Sequence, residues 1–235
     1  MKIELTKKPK NVTIIEGFPG FGLIGTITTE FLIDHLKCEY IGDIWSEKIP
    51  AMVAIHKGEV INPLGVFYNK QHNLVILHAI TSPQGIEWEL SDALIQIAKE
   101  LEAKEVISVE GVGSPKISEE PQAYFYANKE SSKKKLKAIG LDPLQEGIIM
   151  GVTSTLLLKV KQPFSCVFVE THSSLPDSKA AAKAVECLDK YLGLKVDYKP
   201  LLKTAEQFEA QLKDLMTHTE EAVKERDKKK MSYVG

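Results

Sequence analysis

Val12-Thr13-Ile14-Ile15-Glu16-Gly17-Phe18-Pro19-Gly20-Phe21-Gly22-Leu23-Ile24-Gly25 is the stretch on which the fold turns. The β-branched run from Val12 to Glu16 reads as a buried strand that stops at Gly17. Gly17 to Gly22 is a turn-rich loop, and Leu23 to Leu36 places Ile24, Ile27, Phe31 and Leu36 near one helical face. A strand feeding a helix through a glycine loop is the opening of an α/β sheet.

Gly20-x-Gly22-x-x-Gly25 also matches the dinucleotide-binding fingerprint, in letters and in context. At such a helix start, backbone N–H groups and the helix dipole can hold a pyrophosphate, and Asp43 falls near the place of a ribose-binding acid. Phe18 and Phe21 argue against this with bulk, and Pro19 removes one N–H donor. The second reading is structural, with glycines that allow a tight turn and close packing of helix on strand. Gly17, Gly20, Gly22 and Gly25 therefore stand as a ligand loop or a structural loop.

Working outward, strands are expected at Glu39 to Trp45, Ala51 to His56, Glu59 to Tyr68 and Asn73 to Ala79, with Lys70-Gln71-His72-Asn73 as a polar turn. Leu90, Leu94, Ile97, Ala98 and Leu101 recur at helical spacing. Glu105 to Glu110 reads as a strand closed by the turn Gly111-Val112-Gly113-Ser114-Pro115, and Gln122 to Ala127 as another. Ser131 to Ile139 is a short basic helix with Gly140 as its C-cap. A helix at Gly151 to Val160, a strand at Phe164 to Glu170 and an alanine-rich helix at Asp177 to Leu192 complete the pattern. Strands alternating with helices imply a mixed sheet covered on both faces, in a single domain over residues 1–199.

Beyond it, Leu201, Ala205, Phe208, Leu212, Leu215, Thr219 and Ala222 form about three heptads of a narrow apolar stripe. This reads as a C-terminal helical arm over residues 200–230. The tail, 231–235, is Met231-Ser232-Tyr233-Val234-Gly235 and is expected to be flexible.

Composition narrows the function classes. The 235 residues are 43% hydrophobic and 26% charged with a formal net charge of −2, so no general basic footprint for nucleic acid exists. Lys133-Lys134-Lys135 reads as a solvated helix face. Cys38, Cys166 and Cys187 are too few and scattered for a disulfide framework or a zinc motif. Met1 to Leu5 already alternates like a strand, and apolar runs fall short of the ~20 residues of a membrane span. The expectation is a soluble, cytoplasmic protein without a signal peptide, membrane partner, metal or cofactor.

No nucleophile with its base is apparent. Glu170, His172 and Asp177 gather at a strand end and the following loop, where they suit acid–base work or metal ligation. Asp177 equally suits the N-terminus of the next helix. Ser82 and Ser114 lack a nucleophile elbow, and Glu87 and Glu89 fit a helix N-terminus.

The loop Glu16-Gly17-Phe18-Pro19-Gly20-Phe21-Gly22-Leu23-Ile24-Gly25 resembles the opening signature of the proteasome assembly chaperone type 2 family, particularly its archaeal branch. His78-Ala79-Ile80-Thr81-Ser82-Pro83 with the helix from Leu90 to Leu101, and Val109-Glu110-Gly111-Val112-Gly113, are similar to its middle blocks. Gly147-Ile148-Ile149-Met150-Gly151 with Leu156-Leu157-Leu158 is similar to its third block, and Glu170-Thr171-His172, Pro176-Asp177, Lys179-Ala180-Ala181-Ala182 and Val196-Asp197 resemble the fourth.

The resemblance implies a three-layer α/β/α fold of the phosphorylase/hydrolase type, assembled into homo-oligomers. It also implies a non-catalytic, protein-binding role in assembling proteasome α subunits or another protein complex. Some members dock through a C-terminal hydrophobic residue followed by a penultimate tyrosine. Here Tyr233 is third from the end and Ser232 precedes it, so Met231, Tyr233 and Val234 are candidate partner-binding residues with a shifted register. The alternative reading is a small-molecule enzyme, a phosphorylase or hydrolase relative or a nucleotide-dependent ligase, using the glycine loop as an anion site.

Overall fold

The structure is a computed structural model, and it describes residues 1–49, 51, 53–56, 58–82, 84–113, 120–171 and 175–202. Its strands are β1 (Lys2–Leu5), β2 (Thr13–Gly17), β3 (Glu39–Trp45), β4 (Ala54–His56), β5 (Glu59–Ile61), β6 (Leu64–Asn69), β7 (Leu74–Ala79), β8 (Glu105–Gly113), β9 (Ala123–Ala127), β10 (Asp142–Pro143) and β11 (Phe164–Thr171). The helices are α1 (Ile24–His35), α2 (Glu87–Glu100), α3 (Glu130–Ala138), α4 (Gly151–Lys159) and α5 (Ser178–Leu192).

One mixed sheet runs in the order β1-β3-β6-β7-β2-β8-β11-β9-β10, and β4 and β5 form a separate hairpin. Its centre, β7-β2-β8-β11, is parallel, while β6, β3 and β1 extend one side antiparallel. Parallel strands are covered on both faces, and so read as continuous apolar runs. All six residues of β7 are buried, from Leu74 to Ala79.

Alternate strand residues feed two cores. Ile15, Ile76, Ile107, Val109, Val167 and Val169 pack under α1, α3 and α5. Ile14, Val75, Leu77, Val106, Cys166 and Phe168 pack under α2 and α4. The result is the three-layer α/β/α arrangement expected from the strand–helix alternation. The helix ends follow their sequences. Asp177 caps α5 by accepting from the Ala180 N–H at 3.0 Å. Gly140 takes φ 90° after α3, and its N–H reaches the Lys137 carbonyl.

Four expectations shift. The strand expected from Ala51 is confined to β4. That expected at Glu59 to Tyr68 breaks at Asn62-Pro63, because proline has no N–H to give a ladder. Gly111 to Gly113 is not a turn but the end of β8, paired in parallel with Val169 to Thr171. The two-residue β10, parallel to β9, was not anticipated. The arm beyond Leu202 lies outside the described residues. No helix among the described residues is long and apolar enough to cross a membrane.

Phe168 lies fully inside the core under α2 and α4. Replacing it with alanine is expected to destabilise the protein by ~3–5 kcal/mol in urea denaturation, through lost burial and a cavity.

Candidate functional site

The C-terminal ends of β2, β8 and β11 and the loop before α1 bring together most of the residues singled out in the sequence. Each glycine of the loop has a distinct steric reason. A Cβ on Gly25 would stand 2.6 Å from the Val109 carbonyl oxygen and 2.9 Å from the Gly17 Cα. A Cβ on Gly17 would in turn collide with the Gly25 carbonyl. These two glycines let α1 lie directly against β2 and β8. Gly22 takes φ 67° with Thr171 beside it, and its carbonyl accepts from the Asp177 N–H at 2.9 Å. Gly20 is extended, and its missing side chain leaves room for the carboxylate of Glu110.

That carboxylate bears on both readings of the fingerprint. The backbone N–H groups of Gly111 and Phe21 favour its charged form. A group of the protein itself thus occupies the position that an external anion would take at this helix start. The loop is also closed from outside by Phe18, buried in the core, and by Asp177, whose carboxylate accepts from the Thr171 hydroxyl at 2.8 Å. The close approaches at Gly17, Gly20, Gly22 and Gly25 are those of a packed structural loop.

Behind Glu110 lies a second acid, Glu16, only 1% exposed. Ser108 Oγ is 2.5 Å from Glu16 Oε1, Thr153 Oγ1 is 2.7 Å from Ser108 Oγ, and Glu110 Oε2 is 3.1 Å from Thr153 Oγ1. Burial pushes both carboxyls well above the usual carboxylate range, and the neighbouring charge of Glu16 adds to the shift at Glu110. Sequence reading passed over this cluster. Its one signal was a glutamate at the buried end of an apolar strand, and the partner hydroxyls are distant in sequence.

The proposed grouping of Glu170, His172 and Asp177 is divided. Glu170 accepts from the Tyr124 hydroxyl at 3.3 Å, whereas Asp177 caps α5 and holds Thr171. Alternation along β11 directs Glu170 and Thr171 to opposite faces of the sheet. His172 lies outside the described residues, as do Met231, Tyr233 and Val234. Glu170 and Tyr124 line an open cleft of about 320 Å³ with Val112, Leu144, Glu146 and Ile148.

His78 is buried at the end of β7, with Nδ1 2.8 Å from the Thr29 hydroxyl and Nε2 3.0 Å from a Glu30 carboxylate oxygen. It therefore ties β7 to α1. Among the described residues, no group of three or more His, Cys, Asp or Glu is placed to hold a metal ion.

The surface carries several large apolar side chains. Ile148 and Met150 precede α4 and are 91% and 75% exposed, Leu158 lies on α4, and Trp88 begins α2. The β4–β5 hairpin exposes the cross-strand pair Ile55 and Val60.

The mixed sheet with helices packed on both faces defines the protein as a three-layer α/β/α type. The profile described as the PAC2 family matches residues 14–216, and the chain belongs to that family. It is similar to the crystal structure of PbaA from Pyrococcus furiosus, an archaeal homolog of proteasome-assembly chaperone. The TM-score is 0.84 and the identity 32%, over 94% of this chain and 99% of that one. PbaB from the same organism, an archaeal proteasome activator, shares the fold at TM-score 0.74 and 24% identity, over 91% and 98% of the two chains. An uncharacterised protein of Methanocaldococcus jannaschii is 29% identical over 209 residues, 88% of this chain and 86% of the relative.

Gly25→Ala is expected to destabilise the protein by at least ~1–3 kcal/mol, since the obstructing atoms are backbone. Gly113→Ala, whose Cβ would meet only the Phe21 ring at 3.6 Å, is expected to stay within ~0.5 kcal/mol. Parallel thermal melts check the contrast.

Proposed function

We propose that the protein is an assembly chaperone for proteasome core-particle α subunits, working by binding them as a homo-oligomer rather than by catalysis. The observation that carries this reading is the 32% identity to PbaA, an archaeal homolog of proteasome-assembly chaperone, over nearly the whole of both chains. Two features of the site support it. The space beside Gly20 is filled by the Glu110 carboxylate, which weighs against an external phosphate there and so against a nucleotide-dependent enzyme. The exposed Ile148, Met150 and Leu158 provide apolar side chains of the kind that protein interfaces bury.

The chain divides functionally into the α/β body at 1–199, the arm at 200–230 and the tail at 231–235. In this reading the body carries the oligomer contacts. The tail residues Met231, Tyr233 and Val234 supply a tethered aromatic ligand for a pocket on the partner. The cell compartment is that of the proteasome, the cytoplasm.

The test is a native pulldown of α-subunit rings by the full chain and by a chain ending at Lys230. Binding by the full chain and at least tenfold weaker retention by the shortened one is the expected result. Binding that survives the truncation moves the contact to the body or arm. No binding by either chain overturns the proposal.

A further inference from the structure

Glu16, Ser108, Thr153 and Glu110 form a row of oxygens whose spacing can be read by counting protons. Three successive contacts, at 2.5, 2.7 and 3.1 Å, are each of hydrogen-bond length, and Thr153 Oγ1 also stands a longer 3.4 Å from Glu16 Oε1. Each hydrogen bond needs one proton, and two hydroxyls supply two. Ionised carboxylates supply none. With both glutamates charged, one contact in the row is left as two oxygens facing each other without a hydrogen, inside the protein.

A third proton, on either carboxyl, completes the row. If Glu110 carries it, its O–H donates to Thr153, Thr153 to Ser108 and Ser108 to the Glu16 carboxylate. If Glu16 carries it, every donor reverses and the charge rests on Glu110. We propose that Glu16 and Glu110 share one proton through the Ser108–Thr153 hydroxyl pair at neutral pH, and that this proton ties β2, β8 and α4 together beside the glycine loop.

The surroundings support retention of the proton. Glu16 comes from β2, Ser108 and Glu110 from β8 and Thr153 from α4. From β11 the ionisable group in electrostatic reach is Cys166, whose own thiol is pushed up by burial and by the two acids. From the loop before α1, Gly20 and Phe21 offer backbone only. His78 on β7 is turned to the other face of the sheet, toward Thr29 and Glu30. Among the described residues, the groups that bear on the pair include no cation. Glu110 also fills the space left by Gly20 in the loop.

The sign of the pH dependence follows. A carboxyl that holds its proton more tightly in the folded protein contributes stability that is complete at acid pH. That contribution declines as pH rises past the ordinary carboxyl range and is spent once the folded group ionises.

The experiment compares the wild type with Glu16→Gln and Glu110→Gln between pH 5.5 and 8, below the range in which unfolded thiols ionise. A glutamine amide supplies the third donor permanently, so the remaining glutamate can stay charged. The wild-type melting temperature is expected to fall by ~5 °C or more relative to either variant across this window. Histidines shared by all three proteins cancel in that comparison.

Infrared difference spectra read the proton directly. A protonated-carboxyl carbonyl band at pH 7 is expected in the wild type and absent from both variants. Parallel melting profiles, or no carbonyl band in the wild type at pH 7, overturn the shared proton. Should a variant fail to fold, the wild-type spectrum still decides.

Discussion

The direct contact of α1 with β2 and β8 at Gly17 and Gly25 is the constraint on which the rest of the site depends. Because neither residue has a side chain, the helix backbone reaches the Val109 carbonyl and the β2 backbone at van der Waals distance. This fixes where the loop from Phe18 to Leu23 must run. The loop then lies across the ends of β8 and β11, Gly20 against Glu110 and Gly22 against Thr171. Thr29, one turn further along α1, turns its hydroxyl to the Gly25 carbonyl and to His78, so helix and strand are tied at the same level. Asp177 completes the enclosure, capping α5 while its N–H bonds Gly22.

Much of this arrangement was legible in the sequence, for local reasons. The strand Glu39–Trp45, the C-cap at Gly140 and the N-cap at Asp177 follow from patterns a few residues long. Local patterns failed where glycine had two meanings. Gly111 and Gly113 read as a turn, yet they lie in a strand, and Gly111 is small because a Cβ there would strike the Phe21 carbonyl. A glycine inside a strand then marks a close backbone approach rather than a chain reversal. β10 has only two residues, too short for any periodicity.

The site was harder to read for the same reason. The fingerprint correctly marked a strand, a tight loop and a helix, but an anion site and an acid-filled site share those letters. What separates them is Glu110, some 90 positions along the chain, whose place opposite Gly20 is set by the pairing of β2 with β8. Ser108 and Thr153 are equally invisible, since each is an ordinary hydroxyl until α4 settles over the sheet. By contrast, the likeness to the family rests on residues that the fold uses, among them Gly25, Glu110, Thr171 and Asp177.

In the proposed function the surface of the protein, rather than an internal pocket at the glycine loop, meets the partner. The most direct test is the rate at which isolated α subunits from the same organism form rings, followed by native mass spectrometry with and without this protein. The account predicts ring formation at least several-fold faster, passing through a complex that contains the protein. Unchanged kinetics with no such complex would contradict it.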